Sequence, residues 1–345
     1  MKADRLPKSV SATLLLGAVA VACLWLWLPR AEGPRSAEAG PGVVAHSGDA
    51  LAALPPVPRL PAAKVALGRA LFKDVRLSRD DSIACASCHD LAGFGHDSRR
   101  VSVGVGGAEG SVNAPTVFNA SLNFVQFWDG RAGSLEEQAA GPVHNPLEMA
   151  SDWATVIGKL QADAAFGDEF RRAYPDGITA ANLADAIATF ERTLLTENSP
   201  FDRYLRGDQQ AIDERARLGL RRFRDLGCAS CHQGVNVGGN MFQRFGVMGD
   251  YFGDRARQRP AVAADLGRFN VTGQEVDRHV FKVPSLRNVA ETAPYFHDGS
   301  VASLAEAVAI MGRYQLGREL SRDEVDTLLA FLKTLSGMPP ASLTE

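Results

Sequence analysis

The sequence predicts a mainly α-helical protein of two domains, with long irregular loops and little regular sheet. Three observations support this prediction. Apolar residues recur at helical spacing in segments spread along the chain. Glycine-rich stretches of unusual length separate these segments, notably Gly93–Gly110 and Gly234–Gly267. The pentapeptide Cys-Ala-Ser-Cys-His occurs twice, at Cys85–His89 and at Cys228–His232, and each copy precedes one of the glycine-rich stretches.

Residues 1–28 are predicted to form an export signal or membrane anchor. Three cations precede a charge-free run, Ser9–Leu28, which has the length of a membrane-spanning helix. Positive charge on the short side places that end in the cytoplasm and exports the remainder of the chain. We therefore expect residues 9–28 to anchor the protein to the inner membrane, with the folded part in the periplasm.

Two alternatives retain export but change the anchor. Ala37-Glu38-Ala39 has the small residues of a cleavage site, although it lies far beyond the apolar run. Cys23 offers a site for lipidation, although the apolar run continues after it. All three interpretations place the folded part outside the cytoplasm.

The remaining chain divides into a linker, two domains and a tail. Residues 29–59 are rich in Pro and Ala and form the predicted linker. Residues 60–198 and 199–338 are the predicted domains, and residues 339–345 are the tail. Helices are expected at Lys64–Phe72, Leu135–Ala140, Trp153–Leu160, Ala180–Leu195, Asp213–Asp225, Leu304–Met311 and Arg322–Leu335, the last with Ser321 as its N-cap.

The repeated pentapeptide is the attachment signature of a c-type haem. Two cysteines spaced CxxC form thioethers to the haem, and the histidine that follows is an axial ligand of the iron. Four of the five cysteines lie in the two copies, namely Cys85, Cys88, Cys228 and Cys231, so no pair is left for a disulfide framework. We therefore expect two covalently bound haems, with His89 and His232 as ligands. A large cofactor also accounts for the long loops that follow each copy.

Zinc binding and dithiol redox chemistry are the competing uses of CxxC. A zinc ribbon would place its second CxxC much closer to the first, and neither use requires a histidine directly after each pair.

The charge composition argues against one class of partner. The net charge of −3 and the lack of a basic run argue against a nucleic-acid partner.

Several longer motifs resemble the bacterial di-haem cytochrome c peroxidases and the related MauG proteins. They occur in the same order, between about Leu60 and Gly337, and their sequences are Leu-Gly-Arg-Ala-Leu-Phe (67–72), Asn-Ala-Pro-Thr (113–116), Phe-Trp-Asp-Gly-Arg (127–131), Ser-Pro-Phe-Asp-Arg (199–203), Pro-Ser-Leu-Arg-Asn (284–288) and Thr-Ala-Pro-Tyr-Phe-His (292–297). The resemblance implies two cytochrome c-like haem domains. It also implies reduction of hydrogen peroxide to water, with electrons from a small periplasmic cytochrome or copper protein. The family is commonly dimeric, which makes a homodimer an expected assembly.

The resemblance assigns the C-terminal haem to electron relay. His232 is then one ligand and Met311 the other, and thioether sulfur raises the reduction potential. Spacing alone does not single out Met311, because Met241 and Met248 are closer in sequence and most methionines fill a core. A related branch of oxidases, of the MauG type, has tyrosine at this position, so methionine argues against that activity.

The resemblance assigns the N-terminal haem to the peroxide reaction. Glu148 matches the family's catalytic glutamate, and Gln138 matches a glutamine of the same pocket. Trp128 matches a tryptophan between the two haems, with roles in packing and electronic coupling. A single glutamate is ordinarily a solvated surface residue, and the ordered motif around Glu148 is what favours the catalytic interpretation. A pure electron-transfer cytochrome, the other alternative, would need no such proton carrier.

Two further expectations follow from the resemblance. A calcium ion is implied at the domain interface, held by the side chain of Asn113 and the carbonyls of Thr292 and Pro294, since calcium prefers such oxygens. Many members also block the peroxide-binding iron with a histidine at the position that Val105 occupies here. Valine cannot ligate iron, and His96 is the only nearby histidine. We therefore expect an open iron site without reductive activation.

Overall fold

A computed structural model describes residues 50–340 and Leu343. Within these residues the chain is predominantly helical. The helices are α1 (Ala62–Phe72), α2 (Cys85–Cys88), α3 (Leu135–His144), α4 (Trp153–Gln161), α5 (Ala164–Ala173), α6 (Ala180–Glu191), α7 (Pro200–Leu205), α8 (Glu214–Asp225), α9 (Tyr251–Ala256), α10 (Phe269–Thr272), α11 (Leu304–Gln315) and α12 (Arg322–Lys333). Two short strands, β1 (Phe242–Arg244) and β2 (Val280–Lys282), pair antiparallel.

The helices predicted from apolar spacing are present, with shifted ends. Helix α6 ends at Glu191, where the Thr193 hydroxyl donates to the Phe190 carbonyl at 2.6 Å and so competes with the helical pattern. Helix α3 continues through Pro142 to His144, past the Gly-Pro pair that ordinarily ends a helix. Ser321 caps α12 as predicted. Helix α5 was not predicted, because it buries only Phe166, Gly167 and Phe170, and four charged residues interrupt its apolar spacing.

One tightly packed helix pair underlies each half of the described chain. Helix α1 packs on α6, and α8 packs on α12. A glycine lies at each crossing: a Cβ on Gly68 would stand 1.9 Å from the Ala186 carbonyl oxygen, and one on Gly219 would stand 2.0 Å from that of Thr327. Only a residue without a side chain allows the backbones to come this close.

Two main apolar cores surround these pairs. The first draws on residues between Leu67 and Ile187. The second draws on Leu51 and on residues between Phe201 and Leu335. The division into domains at 198/199 remains a prediction.

Buried polar side chains join the segments that meet between the two helix pairs. Thr196 Oγ1 accepts hydrogen bonds from the side-chain amides of Asn119 at 2.9 Å and Asn288 at 3.1 Å. Arg287 and Asp202 form an ion pair of 2.9 Å in which neither side chain is exposed. These bonds fix the loop after β2 against the start of α7.

The predicted N-terminal anchor, residues 1–28, and the linker as far as residue 49 lie outside the described residues. Within the described range, no helix combines the length and the apolarity needed to cross a membrane.

The two crossing glycines lead to a stability prediction. We expect Gly68→Ala and Gly219→Ala each to destabilise the protein by about 1–3 kcal/mol, because the added methyl must displace backbone atoms. Gly158→Ala is the matched control, since Gly158 is helical and exposed with no atom near its Cβ position. The control should be neutral or stabilising, by up to about 1 kcal/mol. Denaturant unfolding of the holoprotein measures all three, and equal stability of the three variants would contradict the proposed packing.

Candidate functional site

The second pentapeptide lines a cavity of about 430 Å³. Cys228–Ser230 form a tight turn directly after α8, which presents Cys228, Cys231 and His232 to the cavity. Met311, on α11, lines the same cavity. Met248, closer in sequence, is instead 62% exposed. The structure therefore brings together His232 and Met311, the two residues predicted to ligate the same iron.

His232 is held in the neutral state. Burial lowers the pKa of His232 to about 4, with the carbonyls of Pro284 and Val237 acting in the opposite direction. Its Nδ1 is buried and makes no hydrogen bond with any described residue. A neutral imidazole with an available nitrogen is the form that binds a metal.

The cavity walls suit a large apolar cofactor. They are formed mainly by apolar side chains, including Phe223, Val283, Leu286, Val289, Leu328 and Leu332. Burial raises the pKa of Cys228 to about 11, so this sulfur is a thiol at neutral pH. Zinc binding and dithiol exchange both use the thiolate. The observations fit haem attachment better than either alternative.

The first pentapeptide includes α2, and His89 follows at its end. The Nδ1–H of His89 donates to the Gly95 carbonyl at 3.1 Å, which leaves Nε2 as the free lone pair. Burial lowers the pKa of His89, with the Gly95 carbonyl opposing the shift. Burial also raises the pKa of both Cys85 and Cys88. This arrangement suits a neutral histidine ligand beside two protonated thiols.

Glu148 lies close to this first pentapeptide. Its negative charge contributes to the raised pKa of both Cys85 and Cys88, after the larger effect of burial. Burial likewise raises the pKa of Glu148, opposed by a 2.6 Å hydrogen bond from Asn145 Nδ2 and by the charge of Arg131. A carboxyl group with a raised pKa is suited to taking up and returning a proton. Gln138 is half-buried on α3, the helix that leads towards Glu148.

Val105 is buried against the backbone of Glu148. Its amide donates to the Glu148 carbonyl at 2.8 Å, and its side chain is 4% exposed. Gly104 is required beside it, since a Cβ there would stand 2.3 Å from the Leu147 carbonyl oxygen. Position 105, which in the resemblance corresponds to the blocking histidine, therefore carries a small apolar side chain that is buried beside the backbone of Glu148.

His96 has both ring nitrogens engaged within the protein. Nε2 lies 3.0 Å from the Glu291 carbonyl, and Nδ1 accepts from the Ser98 amide at 3.1 Å. The ring is buried, 6% exposed. With both nitrogens used in this way, His96 serves to fasten the loop after the first pentapeptide to a distant segment.

The residues predicted to hold calcium line the same cavity as His232. Asn113, Thr292 and Pro294 all contribute to its wall. Neither the Thr292 nor the Pro294 carbonyl accepts a hydrogen bond from a described residue. Asn113 uses its side-chain NH₂ to donate to the Arg99 carbonyl at 2.9 Å. Two free carbonyls and one amide oxygen form a donor set that suits calcium.

Trp128 connects this region to the strands. Its Nε1–H donates to the Asn113 carbonyl at 2.9 Å, and its own carbonyl accepts from the Lys282 amide at 2.8 Å. It lines the cavity beside these groups. Packing is therefore one role that Trp128 has.

A buried acidic cluster near the cavity is a structural ion network. Asp265, His297 and Asp298 lie close enough together to hold a cation. The guanidinium of Arg255 already pairs with both Asp265 and Asp298, and His297 Nε2 lies 2.8 Å from Asp265 Oδ1. Because Arg255 supplies the positive charge, the cluster needs no metal ion.

Sequence reasoning missed two functional candidates. Asn145 bonds Glu148, and nothing in its local motif indicated that contact. Lys282 is buried in the cavity wall, although its sequence, Val-Phe-Lys-Val, gave no sign of a charged group in an apolar site. Both depend on contacts that form only in the folded chain.

Comparison with known proteins identifies the family of the chain. The family model described as di-haem cytochrome c peroxidase matches residues 62–210. The chain is 47% identical to the cytochrome c peroxidase Ccp of Escherichia coli over 91% of this chain, and it spans 66% of that relative's length, just under two thirds. It is 46% identical to the cytochrome c551 peroxidase of Nitrosomonas europaea, covering 79% of this chain and 80% of the relative.

Solved structures show the same fold. A MauG-like protein associated with microbial copper homeostasis superposes with a TM-score of 0.73 at 31% identity, covering 82% of this chain and 93% of that one. The di-haem peroxidase BthA of Burkholderia thailandensis gives 0.69 at 22% identity, covering 82% and 89%. With its two haem-attachment motifs and these relatives, the chain belongs to the di-haem cytochrome c peroxidase family.

Proposed function

We propose that this peroxidase reduces hydrogen peroxide to water with electrons from a small periplasmic cytochrome or copper protein. The observation that carries the proposal is the half-buried Glu148, held by Asn145 beside the first haem-attachment motif. Two haems c, when bound, supply the iron that accepts electrons and peroxide. The remaining chemistry falls to residues of the chain.

The second motif is the proposed electron relay. His232 and Met311 face one cavity, and a histidine and a thioether together favour a high reduction potential. Trp128 lines the same cavity. Its Nε1–H donates a hydrogen bond to the Asn113 carbonyl, and its own carbonyl accepts one from the Lys282 amide. We assign it a coupling role between the relay and the first motif, in addition to packing.

The first motif is the proposed peroxide site. His89 would ligate iron through Nε2, because Nδ1–H is committed to Gly95. Glu148, as a carboxylate, would take a proton from the bound peroxide and return it to the departing oxygen. Gln138 would orient the peroxide by hydrogen bonding. Val105 cannot block the site, and His96 is already engaged on both nitrogens.

The two alternatives have less support. Methionine rather than tyrosine at position 311 argues against a MauG-type oxidase that acts on a partner protein. A pure electron-transfer cytochrome would not need a carboxyl group with a raised pKa beside one haem.

We also propose a calcium ion held by Asn113, Thr292 and Pro294. We further propose a periplasmic location, with export directed by residues 1–28.

Glu148 provides the direct test of catalysis. We expect Glu148→Gln and Glu148→Ala to lower kcat/KM for hydrogen peroxide by about 10²- to 10⁴-fold, because the proton carrier is lost. Turnover is measured with a reduced small cytochrome as donor. Glu169→Gln, on the exposed face of α5, is the matched control and should retain full activity. Unchanged rates in both Glu148 variants would defeat the assignment.

Asn145 should set the acidic limb of the pH profile. Its hydrogen bond lowers the pKa of Glu148 against the larger effect of burial. Asn145→Asp removes the donor and adds a negative charge, so the pKa of Glu148 should rise further. The carboxylate is the active form, and the acidic limb of kcat/KM should therefore move to higher pH, with activity recovered above it. An unmoved limb, or one displaced to lower pH, would contradict this role.

Val105 yields a spectroscopic prediction. The fully oxidised holoprotein should show one high-spin ferric haem and should turn over peroxide without prior reduction. Val105→His should introduce low-spin character and a lag, whereas Val105→Leu should introduce neither. Low-spin spectra from both haems of the wild-type protein would overturn the prediction. If that state persisted in His96→Ala, His96 would also be excluded as its cause.

A further inference from the structure

Lys282 is a buried cation in the wall of the second haem cavity. Its side chain is 6% exposed and lies on β2, opposite Phe242 of β1. Its backbone amide is fixed by the Trp128 carbonyl at 2.8 Å. The same cavity is lined by His232 and Met311. Lys282 is therefore held in place by strand pairing, at the Trp128 side of the cavity.

The ammonium group of Lys282 has no partner among the described residues. No hydrogen bond or ion pair joins it to another side chain. The carboxylate whose charge acts on the pKa of Lys282 is that of Asp129, and this carboxylate forms an ion pair with Arg131 at 2.9 Å. Burial lowers the pKa of Lys282 to about 8, with Asp129 opposing the shift, so the group remains mainly cationic at neutral pH.

A buried and unpaired charge is costly unless an opposite charge reaches it. An uncompensated buried ion strongly destabilises the folded state. The polar groups around the cavity do not supply an anion: Asn113, Thr292 and Pro294 offer neutral oxygens, and the side chain of Arg244 is itself cationic. A calcium ion held by those oxygens would repel Lys282. The missing negative charge must come from the occupant of the cavity.

The haem attached at Cys228 and Cys231 carries two carboxylates on its propionate arms. We propose that Lys282 pairs with one of these carboxylates and holds that edge of the haem beside Trp128. A fixed positive charge at this place also favours the reduced state of the iron, because reduction removes one positive charge from it. Lys282 thus both positions the relay haem and raises its potential.

The inference rests on the di-haem assignment and not on peroxide turnover. If Lys282 acts as proposed while the Glu148 variants retain full activity, the relay site stands and the catalytic assignment falls. If instead the Lys282 variants behave like the control while the Glu148 variants lose activity, the proposed role of Lys282 falls and the catalytic assignment of Glu148 stands.

The test compares four holoprotein variants. Lys282→Met and Lys282→Gln remove the charge, Lys282→Arg retains it, and Lys333→Met makes the same charge change at an exposed position of α12. Haem content is measured as pyridine haemochrome, and the midpoint potential of the His/Met haem is measured by spectroelectrochemistry. Resonance Raman spectra of the wild-type protein in H₂O and D₂O provide a readout that needs no variant.

We expect the neutral variants at position 282 to make reduction of the His/Met haem about tenfold less favourable, a fall of about 59 mV for one electron. Lys282→Arg and Lys333→Met should remain near the wild-type potential. The propionate bending band should shift on deuteration, since the lysine protons exchange. The proposal is overturned if Lys282→Met or Lys282→Gln, with both haems attached, matches Lys333→Met. A propionate band insensitive to deuterium would likewise refute it.

Discussion

The buried ion pair between Arg287 and Asp202 is the constraint on which the cavity of the second half depends. Both side chains are fully buried, and Arg287 also donates to the carbonyls of Ala52 and Val235. Removing either partner would leave an uncompensated charge, at a cost of about 3–5 kcal/mol. Because Val235 lies three residues after His232, these hydrogen bonds fix the backbone segment that follows His232. It also fixes the loop that continues from β2 to Thr292.

Two identical pentapeptides occupy different environments, and this difference supports the proposed division of labour between them. His89 is oriented by the Gly95 carbonyl, with the carboxyl group of Glu148 nearby. The carbonyls of Pro284 and Val237 lie near the His232 ring, but its Nδ1 hydrogen-bonds to no described residue, and its cavity offers a thioether and a buried lysine instead. A site with a titratable acid suits peroxide chemistry. A site closed by a second ligand and a fixed charge suits electron relay.

Much of this could be predicted from residues that act locally. The haem-attachment motifs need only their own spacing, and α12 needs only its cap and its apolar face. The assignments of Met311 and Glu148 came from resemblance, and the structure adds the cavity around the first and the burial of the second. The ends of α3 and α6 were misplaced because α3 continues through Pro142 and because the Thr193 hydroxyl bonds the Phe190 carbonyl at the end of α6, and a periodicity argument contains neither.

The sequence by itself determined the helical class, the two haem-attachment motifs and the histidines predicted to ligate the iron, since each is encoded within a few consecutive residues. Tertiary structure alone decided the surroundings of His96, Asn145 and Lys282. Their partners, or their lack of partners, depend on segments brought together from far along the chain. Burial also lowers the pKa of Lys282 and raises that of Glu148, and burial is a property of the packed protein, not of any local motif.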